Sequence, residues 1–236
     1  MTPDLIAAAM EATWPPAATW QVGPWVLRDG KGGGKRVSAA TLGGSFAVAD
    51  IEAAESAMQA KGQRPLFQLR PCDAALDAAL EARRYNVVDP VQIYAAALGD
   101  LPPDPPPVMT TFPHWPPLGI AVDLWLEGGI DQARLDVMYR AAGAKAVILA
   151  RTKDRAAGVA FVAMHGATAI LHALEVTPPV RRTGVALNIM QAAVQWTKDQ
   201  GGNDLGLAVT TANAPARALY ASFGMRVVGH YHYRQL

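Results

Sequence analysis

The stretch EVTPPVRRTGVALNIMQ, Glu175 to Gln191, lies where an apolar, strand-like segment gives way to a helix-like one. It places two adjacent arginines, Arg181 and Arg182, and the small residues Gly184 and Ala186 at the entrance of the helix. The first turn of a helix leaves backbone N–H groups without partners, and the helix dipole adds positive potential there. Small side chains let an anion approach these groups closely. The stretch therefore predicts a phosphate-binding site, with a pyrophosphate as the expected group.

The overall composition is that of a packed globular protein. The chain has 236 residues, of which 51% are hydrophobic and 17% are charged, and its net charge is +1. Such a balance gives no long-range field for nucleic acid or a membrane surface, so we expect neither partner. The single cysteine, Cys72, excludes an intramolecular disulfide and any multi-cysteine metal site. Without a signal-like N-terminus or a long apolar run, a cytoplasmic protein is expected.

A proline-rich segment divides the chain. LPPDPPPVMTTFPHWPP, Leu101 to Pro117, holds eight of the eighteen prolines. Proline lacks a backbone donor and biases the preceding residue away from helix, so this segment is expected to be an extended connector. We therefore expect an N-terminal half over residues 1–100, a connector over 101–117 and a second domain over 118–236.

The second half reads as alternating strands and helices, which indicates an α+β fold. Three apolar runs separated by short polar turns predict a meander of antiparallel strands, KAVILAR, GVAFVAMH and ATAILHALEV. Around this meander the sequence predicts a strand at GIAVDLW, helices at 130–142, 184–200 and 214–223, and strands at LGLAVTT and MRVVGHYHYR. In the first half WQVGPWVLR reads as a strand, and PLFQLR begins a strand, helix, strand series.

The spacing Arg181-x-x-Gly184-x-Ala186, in its place after the meander and at the start of a helix, resembles the acyl-CoA loop of the GNAT superfamily of N-acyltransferases. The segment NAPARALYASFGM is similar to the second cofactor segment of that family, which supplies an asparagine and a tyrosine, here Asn213 and Tyr220. The resemblance implies a GNAT-type fold, with a mostly antiparallel mixed sheet flanked by helices, and acetyl-CoA (coenzyme A) as the cofactor.

The resemblance also implies where the cofactor lies. The fourth strand of the fold should separate from the fifth, leaving backbone groups near Leu174 and Val176 free to bond the pantetheine arm like an added strand. The implied cofactor-binding residues lie in this gap, in the loop and on the helix after the fifth strand: Leu174, Val176, Arg181, Arg182, Thr183, Gly184, Val185, Ala186, Asn213, Ala216 and Tyr220.

Acyl transfer to an amine requires a base for the ammonium and a proton for the leaving thiolate. His172 is one candidate base, because the fourth strand is similar to that of serotonin N-acetyltransferase-like members, in which two histidines stand two residues apart; here Ile170 replaces the first. Glu175 is the second candidate if a bulge turns it to the same side. Tyr220 is the candidate acid. The alternatives are a hydrogen-bonded interior histidine and a tyrosine that only packs.

The first half lacks a counterpart of the basic loop. LGGSFAVAD stands at the corresponding place, and Glu81 corresponds to Tyr220. We interpret this half as a degenerate GNAT-like copy that binds no cofactor, buttresses the other half and lends Trp20, Trp25 or Arg36 to the acceptor pocket.

The function that follows is an acetyl-CoA-dependent N-acetyltransferase that transfers an acetyl group directly, in a ternary complex, to an amine of a small molecule or peptide. A covalent route is not expected, because Cys72 lies in the other half and has no evident histidine partner. The alternatives are a catalytically silent acyl-CoA-binding module and a regulatory protein that binds only phosphate or a nucleotide. No metal is expected, since His230 and His232 lack a third ligand. Terminal strands in this fold are often shared between subunits, which leaves a homodimer open.

Overall fold

The computed structural model describes residues 2–236. The helices are α1 (Pro3–Thr13), α2 (Val48–Gln59), α3 (Ala74–Ala82), α4 (Gly119–Glu127), α5 (Gln132–Arg140), α6 (Val185–Asp199) and α7 (Ala214–Ser222). The strands are β1 (Ala18–Val22), β2 (Trp25–Asp29), β3 (Thr41–Leu42), β4 (Leu66–Leu69), β5 (Asn86–Ala97), β6 (Thr111–His114), β7 (Lys145–Thr152), β8 (Arg155–His165), β9 (Thr168–Val176), β10 (Asp204–Thr210) and β11 (Arg226–Gln235).

The main sheet has eight strands in the order β4-β11-β5-β10-β9-β8-β7-β6, and β1, β2 and β3 form a smaller sheet. The paired strands of the main sheet are antiparallel except for β9 and β10, which are parallel. The meander predicted from the sequence is confirmed as β7, β8 and β9. The mixed, mostly antiparallel sheet flanked by helices is also confirmed.

The strands of the two halves are interleaved. β5, from the first half, lies between β10 and β11 of the second half, and β4 lies outside β11 at the edge. β6 falls within the expected connector and pairs with β7 at the opposite edge. Because an edge strand does not need every backbone donor, Pro113 is tolerated in it.

Two strand predictions are wrong. GIAVDLW belongs to helix α4, whose buried residues Ala121, Leu124 and Trp125 recur at helical spacing and pack in the core between α4, α5 and the sheet. WQVGPWVLR is a hairpin rather than one strand, because Gly23 turns the chain between β1 and β2 with φ at +53°.

The two faces of the main sheet are covered by different helices. α4 and α5 pack on one face against β8 through Trp125, Met138 and Phe161. α6 packs on the other face, where Ile189 and Met190 are fully buried. Burial of each such side chain contributes about 1.5–3 kcal/mol to stability. These layers fix β9 and the start of α6, which together border the site described next.

Candidate active site

The site lies where β9 and β10 separate. The two strands pair from Thr168 and Asp204 as far as Leu171 and Leu207. Each strand then continues, to Val176 and Thr210, but no pair joins them beyond that point in residues 2–236. The separation predicted from the sequence is therefore present. It opens into a groove of about 880 Å³ beside α6 and α7 and a cavity of about 400 Å³ bordered by the first half.

A bulge in β9 decides which side chains face this cavity. Phe161 on β8 pairs with His172 on β9, and Val159 on β8 pairs with Glu175 on β9. The three residue steps from His172 to Glu175 therefore lie opposite only two residue steps on β8. Ala173 takes up the extra residue with φ at +51°, and its carbonyl accepts a hydrogen bond from the Trp125 indole N–H at 2.8 Å. Because one residue is inserted, Glu175 falls on the same face as His172. The bulge that Glu175 needs in order to be a candidate base is therefore present.

The loop before α6 is open. Gly184 has φ at +91°, and a Cβ placed on it would have no neighbour within 4 Å. Within residues 2–236, the backbone N–H groups from 182 to 187 donate to no protein acceptor, whereas the N–H of Asn188 donates to the Gly184 carbonyl. Arg181 is held by the Val176 carbonyl, to which its Nε donates at 3.0 Å. This end of the helix can therefore receive an anion.

The groove brings together nearly all of the predicted cofactor residues. Its lining includes Leu174, Val176, Arg181, Arg182, Gly184, Val185, Ala186, Asn213, Ala216 and Tyr220. Thr183 is not part of this lining, and its hydroxyl donates to the Val180 carbonyl at 2.8 Å. Asn213 caps α7, since its Oδ1 accepts from the Ala216 N–H at 3.2 Å, which leaves its NH₂ group for a ligand.

Tyr220 lines both the groove and the cavity. Its side chain is buried against Tyr94, with ring centroids 5.8 Å apart. Burial, together with the nearby charge of Glu175, raises the pKa of Tyr220 to about 12. Among residues 2–236 no group forms a hydrogen bond with its hydroxyl. The phenol is therefore protonated near neutral pH and free to donate.

His172 is surrounded by groups that keep it neutral. Thr13 on α1 donates its hydroxyl proton to the Ala9 carbonyl at 2.6 Å, so the ring Nε2–H must donate to Thr13 Oγ1 at 2.9 Å. The ring Nδ1 then carries the lone pair, which faces Arg36 Nη1 at 3.4 Å. Burial, with the adjacent Arg36 charge, holds the pKa of His172 well below its ordinary value.

Glu175 lies at the junction of the groove and the cavity. Burial raises the pKa of its carboxyl, and the charges of Arg181 and Arg134 oppose that rise. The side chain rests against Gly128, the residue that ends α4; a Cβ there would stand 2.7 Å from the Glu175 Cγ. A half-buried carboxylate with a raised pKa is suited to accept a proton near neutral pH.

The first half supplies one wall of the cavity. Arg36 reaches it, as the sequence analysis allowed, together with Gly33 and Gly34. Trp25 does not: it is fully buried in the core of the first half, where its indole N–H donates to the Asp50 carbonyl. Trp20 also packs against that core. Trp14, whose ring centroid lies 5.0 Å from that of His172, was missed because nothing in the sequence places the end of α1 beside β9.

Residues 2–236 offer neither a metal-ligand cluster nor a membrane-spanning helix. The structure brings together no group of three histidine, cysteine, aspartate or glutamate side chains that could hold a metal ion. His232 instead lies within hydrogen-bond distance of Asp77, with Nε2 and Oδ1 2.9 Å apart. No helix in this range combines the length and apolar character needed to cross a membrane.

Comparison with known proteins identifies the family. Residues 110–225 match the family model described as Acetyltransferase (GNAT) family. Residues 110–225 belong to the GNAT family. This membership supports acetyl transfer as the class of reaction and acetyl-CoA as the cofactor class that the family generally uses. Among curated proteins, none matches the sequence significantly.

Solved structures extend the GNAT likeness to the whole chain. A GCN5-related N-acetyltransferase from Kribbella flavida superposes with a TM-score of 0.73 at 17% identity, over 100% of this chain and 96% of that one. A tandem GNAT protein from the clavulanic acid biosynthesis pathway has a TM-score of 0.61 at 14% identity, over 96% and 86% of the two chains. A GNAT-family protein from Novosphingobium aromaticivorans has a TM-score of 0.56 at 16% identity, over 92% and 89%. At these identities the likeness establishes the fold.

Proposed function

We propose that this protein is an acetyl-CoA-dependent N-acetyltransferase that transfers the acetyl group directly to an amine in a ternary complex. The observation that carries the proposal is the open gap between β9 and β10, which joins a cofactor-sized groove to a separate acceptor cavity. Two substrates that enter from the two sides would meet beside Glu175 and Tyr220, and holding them together supplies much of the rate enhancement.

The chain fits acetyl-CoA at its phosphate-binding end. The exposed N–H groups at the start of α6 and the guanidinium groups of Arg181 and Arg182 would hold the pyrophosphate, while the unpaired edge of β9 near Leu174 and Val176 would bond the pantetheine amides. When bound, the cofactor supplies an activated acetyl thioester. The groove volume lies within the range typical of small-molecule sites.

For the proton transfers, the surroundings favour Glu175 as the base, directly or through water. The lone pair of His172 faces a cation, so protonation of that ring would place two buried positive charges together. His172 is instead suited to position Arg36, and the base role predicted for it from the sequence stays a prediction. Tyr220, with its free and protonated hydroxyl, is suited to donate to the departing thiolate. A pair with separated pKa values is the usual arrangement for base and acid.

We also propose that the first half is a degenerate copy of the second. β4, α3 and β5 repeat the order of β10, α7 and β11, and the four strands interleave around the β5–β11 pair. A parallel bridge between Ala40 and Phe67 occupies the place that the parallel β9–β10 pair has in the second half. The GGSFAVAD segment, which leads into the first turn of α2, has no basic residue, and this supports a half without its own cofactor. A cytoplasmic location and a homodimer remain predictions from the sequence.

A thiol-release assay with a panel of primary amines tests the proposed function, with calorimetry of coenzyme A binding alongside it. We expect micromolar binding together with turnover of at least one amine. Binding without turnover for every amine would leave the silent acyl-CoA-binding module as the function. Equal affinity for coenzyme A and adenosine diphosphate would indicate a nucleotide site instead.

A further inference from the structure

Arg36 is a cation without a carboxylate partner. Of the ion pairs formed within residues 2–236, none includes Arg36. Its Nε is completely enclosed and has no hydrogen-bond partner in this range. Other basic residues of the first half do have carboxylate partners: Lys35 pairs with Asp89 at 2.7 Å, and Arg28 pairs with Glu11 at 2.8 Å. The guanidinium is thus partly removed from water without a counter-ion, which is costly, so an anionic partner is expected at Arg36.

The described side chains next to Arg36 are a histidine and two tyrosines, not carboxylates. His172 faces it with a neutral ring nitrogen. Tyr231 and Tyr233 lie beside it and line the same cavity, but burial raises the pKa of Tyr233 well above its ordinary value, so that phenol stays neutral. Arginine remains charged at all relevant pH values. Burial by itself would lower the pKa of Arg36, and contacts with Tyr231 and Tyr233 raise it, but none of the three neighbours carries a carboxylate.

The charged side chains that line the cavity indicate which chemical groups an acceptor should carry. The carboxylates of the cavity are Asp89 and Glu175, and Asp89 is already paired with Lys35. Among the cations that line the cavity, Arg134 lies near Glu175 and opposes the rise that burial causes in the pKa of that carboxyl, whereas Arg36 faces His172. Glu175 is therefore the carboxylate that can meet an amine, and Arg36 is a cation that can meet an anion. Along β9, Glu175 and His172, the residue that Arg36 faces, are separated by the two β8 positions from Phe161 to Val159, about 7 Å at 3.3 Å per residue. A polyamine would require more carboxylates than this cavity offers.

Resting on the proposed function, we infer that the acceptor is a small amine that also carries a carboxylate, such as a free amino acid, and that Arg36 binds this carboxylate. The planar guanidinium can form two parallel hydrogen bonds to a carboxylate. Thr13 and His172 are positioning residues for Arg36. Hydrogen bonds from Thr13 to the Ala9 carbonyl and from His172 to Thr13 fix the histidine ring, so that its unprotonated Nδ1 faces Arg36. The cavity of about 400 Å³ suits a molecule of this size.

The test uses acceptor pairs that differ only in the carboxylate, such as leucine with isopentylamine and phenylalanine with phenethylamine. With acetyl-CoA saturating, the wild-type chain should favour the amino acid in kcat/KM by about tenfold to a hundredfold, the loss expected when a charged hydrogen bond is removed. Arg36→Met should abolish this ratio mainly through KM, and Arg36→Lys should retain part of it.

Arg70→Met is the matched control. Arg36 also borders a second cavity of about 930 Å³ beneath α1, and Arg70 lines that cavity but not the acceptor cavity. The control should leave the ratio unchanged. A wild-type ratio near one, or an Arg36→Met variant that keeps the wild-type ratio, would overturn the inference even if acetyl transfer itself is established.

Equilibrium binding separates this inference from the proposed function. In the presence of coenzyme A, leucine should raise the midpoint of thermal unfolding of the wild-type chain and of Arg70→Met, but not of Arg36→Met. Calorimetry should show that Arg36→Met binds coenzyme A like the wild type, which checks that it folds. Binding of leucine without turnover would count against the enzyme and for the arginine site, whereas no shift with any amino acid would refute the site.

Discussion

The contact between Gly128 and Glu175 allows the candidate base to be moved without being removed. Gly128 has φ at −78° and ψ at 0°, a conformation that alanine adopts freely. The Cβ of Gly128→Ala would stand 2.7 Å from Glu175 Cγ and 2.9 Å from Cδ. Carbon atoms in contact are about 3.5 Å apart, so the carboxyl must withdraw by about 0.8 Å. A displacement near 1 Å in a catalytic group costs about a hundredfold in rate.

We therefore expect Gly128→Ala to lower kcat by about tenfold to a hundredfold while the free energy of unfolding changes by less than about 1 kcal/mol. Steady-state thiol release gives kcat, and urea unfolding gives the stability. Gly119→Ala is the control, because a Cβ there meets nothing within 4 Å at the other end of α4. The double variant Gly128→Ala with Glu175→Asp should recover part of the rate, since the shorter acid makes room. An undiminished kcat in Gly128→Ala would refute Glu175 as the base.

Three further outcomes follow from the site. Gly184→Glu should abolish coenzyme A binding in calorimetry, because the side chain would place an anion where the phosphates bind, and retained binding would exclude this loop as the cofactor site. Tyr220→Phe should lower kcat by about a hundredfold with an unchanged coenzyme A affinity, and an unchanged rate would leave Tyr220 as a packing residue. Burial raises the pKa of Glu175, and the charge of Arg134 lowers it. Because a base must be deprotonated to act, kcat/KM should rise with pH through the pKa of Glu175. Arg134→Met removes the lowering charge, so the rise should move to higher pH. A pH profile that does not move would show that another group titrates.

The second half was largely predictable from its sequence because its signals are local. The meander is marked by apolar runs and polar turns, and the start of α6 by Gly184 after two arginines. In a short apolar run, the spacing of the apolar residues and the length of the run can indicate different secondary structures. The short apolar run GIAVDLW predicts a strand, whereas the spacing of Ala121, Leu124 and Trp125 fits the helix face that the structure shows. The strand from Thr111 to His114 was not predicted because it contains Pro113, and proline fits a strand mainly at the edge of a sheet.

The acceptor side was less predictable because it depends on distant parts of the chain. Arg36 and Trp14 reach β9 only through the packing of α1 and the glycine-rich loop against it. The sequence suggested Arg36 but gave no reason to prefer it over Trp20 and Trp25, which the structure places in or against the core of the first half. The orientation of Glu175 depends on a bulge at Ala173, which has a positive φ. Alanine has no preference for positive φ, so the sequence does not predict the bulge.

The interleaving of β10, β5, β11 and β4 has a consequence for dissecting the molecule. A fragment trimmed to the family match at residues 110–225 would lose β5 and the whole of β11, so β10 would become a bare edge prone to aggregation. Neither half can complete its sheet until the other has been synthesised, and the long sequence separation of these pairs favours slow folding. Denaturation should accordingly be a single cooperative transition, with both halves lost together.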